Sequence, residues 1–183
     1  EFVDAKSGVS ARLSISAMEN LIAAAKLRLI ETGARKTQIR LIDFISIIPS
    51  ITGKIELVYE GEQEGADEVA KILIDRAIMV KFEEILPKLE KLEKEDTKNT
   101  YSDIINWFDF NFIELNFTDA DNEYHKVLNS INPLSILMDE YNSIIHKEDR
   151  MFCMELILWA LTLENKLDMS DNINALKFKS LNI

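Results

Sequence analysis

Cysteine is almost missing from this chain: Cys153 is the only one in 183 residues. A lone thiol excludes an internal disulfide and any cysteine-rich zinc site, and it suits a reducing compartment. Histidine is nearly as scarce, with only His125 and His146, so a histidine-based metal centre is not expected. Five glycines and three prolines are too few to punctuate a sandwich of many short strands, and they point to long helices. Positive charge is also short, with 21 Lys and Arg against 32 Asp and Glu for a net −11. That balance argues against non-specific binding to nucleic acid or to an anionic membrane, since both need a cationic surface. No apolar run reaches the roughly 18 residues of a spanning helix. The most apolar stretch, Met151 to Leu163, is shorter and carries Glu155. The first residue is Glu1 and no charged-then-apolar leader follows, so the expectation is a cytoplasmic piece of a longer protein.

What is present is an ordinary globular mixture, 47% hydrophobic and 29% charged, enough for a core in one medium domain or two small ones. The charge is uneven. Residues 1–60 hold eight basic and seven acidic groups, whereas residues 61–183 hold 13 and 25. This shift suggests two units with different surroundings.

Local patterns predict a first long helix from Ser14 or Ser16 to Thr32. Ser16 and Glu19 have capping-box spacing, and Gly33 is a left-handed stop. Leu21, Ala24, Ala25, Arg28 and Leu29 share a face, with Ile22 and Ala23 widening it, so the helix is expected to pack on more than one side. A shorter helix over Arg40 to Ile48 should end before Pro49. Lys54 to Glu60 alternates like a strand, with Ile55, Leu57 and Tyr59 on one side. A loop, Gly61 to Gly65, precedes a long helix from Ala66 to Leu86 whose face is Val69, Leu73, Arg76, Ala77 and Val80, with Ile72 and Phe82 nearby. Pro87 interrupts it. Lys88 to Lys98 has i,i+4 charge pairs and reads as a solvated helix or linker, or as a partner-binding face. Trp107, Phe108, Phe110, Phe112 and Phe117 surround a strand-like segment, Phe112 to Phe117, a candidate to pair with the similar Ile55 to Leu57. Helices are expected over 119–131, 133–145 and 148–167, the last apolar nearly all round as a core helix should be. An extended piece around Leu176 to Leu181 closes the chain.

No self-contained active site stands out. The phosphate-binding pattern G-x-x-x-x-G-K-[ST] is absent, since Gly53-Lys54 has Ile48 and Ile55 at the other key positions. Asp119, Asp121 and Glu123 suggest a calcium loop only superficially, because Tyr124 stands where a glycine is required and Ser130 where a bidentate Glu is required. Carboxylates in a helix's first turn explain that cluster better. His125 and His146 read as surface residues, Cys153 as a buried inert thiol, and Trp107 and Trp159 as core residues in preference to interface anchors. Arg12 stands apart. It sets a permanently charged, planar donor fork immediately before the first long helix, where it can bind phosphate oxygens or pair with a surface carboxylate.

The segment Ser7-Gly-Val-Ser-Ala-Arg12, followed by Leu-Ser-Ile-Ser-Ala-Met-Glu-Asn20, resembles the start of the lid in AAA+ ATPases of the magnesium-chelatase and MoxR-type group. Pro49-Ser-Ile-Thr-Gly-Lys-Ile-Glu-Leu-Val-Tyr-Glu-Gly-Glu62 and Gly65-Ala66-Asp67 are similar to magnesium-chelatase-like proteins. The likeness covers about residues 7–87 and is weaker over 100–183, where Trp107-Phe108, Glu123-Tyr124 and the final helix carry it. It implies that Arg12 is a sensor-2 arginine and that ATP and Mg2+ serve the full-length parent. It also implies a homo-oligomeric ring, a possible von Willebrand-type partner subunit, and remodelling in place of porphyrin metallation. Ala11 departs from the proline many MoxR-type relatives carry, and the nucleotide-binding core does not occur in these residues.

The resulting expectation is a mainly α chain with a short two-stranded β element. It comprises a lid-like helical domain (7–87), a charged helix or linker (88–99) and an acidic helical domain (100–183). By itself the fragment should hydrolyse no ATP. The alternative is a stand-alone helical interaction module with residues 107–117 as its contact patch.

Overall fold

The computed structural model describes residues 2–3, 9–86, 101–141, 143–172 and 175–181. Ser7, Gly8 and the charged run from Lys88 to Lys98 lie outside them. The fold is mainly helical with a small three-stranded antiparallel sheet. The chain divides into two compact units, Glu1–Ala77 and Ile78–Ile183.

In the first unit, α1 (Leu13–Thr32) ends at Gly33, whose φ of 63° is left-handed. There an L side chain would crowd the backbone, so glycine ends the helix at least cost. The expected capping box does not form. Ser16 lies one turn inside the helix, with its N–H bonded to the Arg12 carbonyl, and Arg12 holds the cap position without a side-chain cap. The next segment differs from expectation too. A 3-10 helix, Leu41–Ile47, runs directly into α2, Ile48–Thr52. Pro49 therefore opens a helix instead of following one, because a first-turn residue needs no N–H partner.

Among the described residues the expected strand at 54–60 shows two isolated bridges, Val9 with Ile55 and Val3 with Leu57. Tyr59 starts α3 (Tyr59–Glu64), which occupies most of the expected loop. Gly61 is buried there against the backbone: a Cβ would come within 2.4 Å of the Phe2 carbonyl oxygen. Helix α4 (Ala66–Ile85) forms as expected, but its buried side is Val69, Ala70, Ile74, Ile78 and Phe82, while Val80 is exposed. The helix is apolar around much of its circumference, so an i,i+4 row ending on the largest residue, Phe82, outcompetes the row first read.

In the second unit, α5 (Ser102–Phe108) precedes β1 (Ile113–Asn116), and α6 (Asp121–Asn129), α7 (Asn132–Glu140) and α8 (Arg150–Leu163) follow. Nine successive residues of α8, Cys153 to Leu161, are buried, as its all-round apolarity requires. The closing segment is a hairpin, β2 (Asp168–Asn172) and β3 (Ala175–Lys179). Strand β3 is central, pairing β1 through Ile113–Phe178 and Leu115–Leu176 and pairing β2 on its other side. So the sheet has three strands, and β1 pairs with β3 and not with Ile55 to Leu57. Asn165 takes the left-handed conformation (φ 53°) after α8, and the Lys166 N–H closes back on the Leu161 carbonyl at 2.8 Å.

Candidate functional site

Arg12 is exposed at the head of α1. The residues before it are held in place: Val9 bridges Ile55, and the Ser10 N–H donates to the Lys54 carbonyl at 3.1 Å. The Ser10 carbonyl accepts from the Leu13 N–H at 2.9 Å, and its hydroxyl accepts from the Arg12 N–H at 3.3 Å. The backbone beneath the guanidinium is thus fixed on both sides. Its φ and ψ of −81° and −8° are already helical, which aligns Arg12 with the axis of α1.

The packed side of α1 is stitched by polar groups one or two turns apart. The Asn20 amide donates to the Ser50 hydroxyl at 2.7 Å, and that hydroxyl donates to the Ser16 carbonyl at 3.3 Å. Two turns further on, Arg28 and Asp43 form a buried two-pronged ion pair, with Nη2 to Oδ2 at 3.0 Å and Nη1 to Oδ1 closer. Arg28 Nη2 also donates to the Gln38 carbonyl at 2.6 Å, and Asp43 Oδ2 accepts the Arg40 N–H at 2.8 Å. A bidentate, charge-assisted pair of this kind is directional as well as strong. It fixes both the rotation and the axial position of α1 on the 3-10 helix. Sequence reading placed Arg28 on the packed face but missed Asp43. The signal was available: one carboxylate inside Leu41-Ile-Asp-Phe-Ile-Ser-Ile47.

Asp119 accepts from the Asn116 amide at 3.2 Å, while Glu123, in the first turn of α6, pairs with Lys126 at 2.7 Å. His146 is exposed, whereas His125 is half-buried. Cys153 is 2% exposed, and burial, reinforced by Asp149, pushes its thiol up to about 11. A thiol held neutral is neither a good nucleophile nor a metal ligand. Gly53 ends α2, and Lys54 Nζ donates to the Ser50 carbonyl at 3.5 Å. Trp159 is buried. Trp107 packs edge-on to Phe108, ring centroids 5.0 Å apart. By contrast Phe110 is 90% and Phe112 61% exposed, with the Lys177 ammonium 4.4 Å from the Phe112 ring centre. Among the described residues no helix is long and apolar enough to cross a membrane.

Compared with protein families, curated proteins and solved structures, the chain matches none. The functional reading therefore rests on the residues and on the likeness they carry.

Proposed function

We propose that the chain is the lid and following helical region of a cytoplasmic magnesium-chelatase-like AAA+ remodelling ATPase, with Arg12 as its nucleotide-sensing arginine. The observation that carries this reading is the coupling between Arg12 and α1. An exposed guanidinium at the head of a 20-residue helix is joined to a helix locked at its far end by the buried Arg28–Asp43 pair. A displacement at Arg12 then moves α1 and the 3-10 helix together, as a rigid-body switch requires. In the full-length parent, Arg12 is the residue that would face the phosphates of ATP. The Mg2+ ion and the catalytic groups would come from the nucleotide-binding core. A homo-oligomeric ring and a von Willebrand-type partner subunit belong to the same proposal.

The test is Arg12→Ala in the full-length protein. ATP turnover is expected to fall at least tenfold with the melting temperature unchanged, and Arg12→Lys to recover only part. Wild-type turnover in Arg12→Ala would refute the assignment. So would measurable ATP hydrolysis by the 183-residue chain alone.

The exposure of Phe110 and Phe112 favours a second reading, a helical interaction module unrelated to ATP. A phosphate-loop motif encoded upstream of Glu1 supports the ATPase, and its absence supports the module.

A further inference from the structure

Helix α1 has five large apolar residues on its outside. Ile15 is 60% exposed, Met18 55%, Ile22 39%, Leu27 57% and Ile30 77%, while the packed side carries Leu21, Leu29 and the buried Ala25 and Arg28. Among the described residues α1 is packed on one side, around Ala25 and Arg28, and its second aliphatic side is open. Five large apolar residues exposed along one helix mark an interface.

The strip is self-complementary. Ile15, Glu19, Ile22, Ala23, Lys26 and Ile30 follow one another at three-, four- and one-residue steps along one side of the helix, and Glu19, Ala23 and Lys26 are exposed with the isoleucines. We propose that α1 pairs with α1 of a second copy of this chain, antiparallel, about a two-fold axis that passes between Ile22 and Ala23. In this register Ile15 stands level with Ile30 of the second copy, Ile22 with Ala23, and Glu19 with Lys26. The two-fold repeats each contact, as an isologous interface demands. The small Ala23 lets the helix axes approach at the centre. A parallel pairing would set Glu19 against Glu19 and Lys26 against Lys26, so the charges specify the antiparallel direction, as polar residues do in coiled-coil seams.

A 20-residue helix is about 30 Å long, and two such helices side by side reach only the low end of stable interface sizes. The dimer is accordingly a concentration-dependent one. This proposal is independent of nucleotide sensing.

Sedimentation velocity on the 183-residue chain across the micromolar range tests it. The wild-type chain shifts from monomer to dimer with rising concentration. Glu19→Lys and Lys26→Glu, both at exposed positions, each weaken self-association at least tenfold. Mixed together they form a heterodimer, because each now offers the charge the other needs, and the double swap dimerises with itself. Ile22→Asp abolishes association in every background. A wild-type chain that stays monomeric throughout, with the strip left to some other occupant, overturns the proposal. Single charge variants that dimerise as well as wild type, or a mixture that fails to associate, overturn it too.

Discussion

Arg28 is a permanent cation with 5% of its surface left to water, and Asp43 is 6% exposed. Neither is tolerable there alone, since burying an unpaired charge costs far more than the pair gains. Asp43→Ala should therefore destabilise the chain by about 3–5 kcal/mol in urea titration. Replacing both residues by aliphatic ones of similar volume should cost much less. Equal losses from single and double replacement would show that the charges are not coupled.

Cys153 makes the second residue-scale case. Its thiol is raised in the folded state, so the contribution is fully present below the unfolded value and fades as pH climbs toward the folded one. Folded protein at pH 8 should react with a thiol reagent orders of magnitude more slowly than urea-unfolded protein. Rapid alkylation of the native chain would contradict the burial. Stability should decline above about pH 9, less steeply in Cys153→Ala. Tyr101, raised by burial and by Tyr141, adds to the same alkaline loss.

At the scale of elements, Gly61 shows how one missing side chain sets an arrangement. The Val58 N–H bonds the Phe2 carbonyl at 3.0 Å, and a methyl group at position 61 would collide with that same carbonyl oxygen. Gly61→Ala should destabilise the first unit by roughly 1–3 kcal/mol, the cost of overpacking. Hydrogen exchange at the Val58 amide should also accelerate. Unchanged protection there would mean that the contact is not maintained in solution.

Elements whose signals are local were readable from sequence, and those decided by distant partners were not. Gly33 as a helix stop and α8 as a core helix follow from nearby residues alone. Ile55 and Leu57 carry a strand's alternation, yet among the described residues they make single bridges to Val9 and Val3. Ile113 and Leu115 carry the same alternation and find a full ladder in β3. For the candidate site, the placement of Arg12 at a helix start was legible. The clamp behind it was not, because Arg28 and Asp43 become neighbours only when α1 lies on the 3-10 helix.

For the whole molecule, the net charge of −11 sets a background that no single contact offsets. Like charges repel across the surface, and at low ionic strength that repulsion is weakly screened. Raising NaCl from about 10 mM to 0.1 M shortens the screening length from about 30 to 10 Å. The melting temperature should rise by a few degrees, while the difference between wild type and Asp43→Ala stays nearly constant because that pair is shielded from solvent. A melting temperature that falls with salt would mean that exposed ion pairs such as Lys126–Glu123 outweigh the general repulsion.

The position of β3 at the middle of its sheet also governs how the chain comes off the ribosome. Strand β1 is made first, but its ladder partner among the described residues, with Phe178 opposite Ile113, emerges only after α6, α7 and α8. At roughly 5–20 residues per second, β1 waits several seconds with Ile113 and Leu115 unpaired while α6, α7 and α8 are synthesised. During that interval a nascent-chain chaperone has its opportunity, and a ribosome stalled before residue 175 would hold a sheet that cannot close.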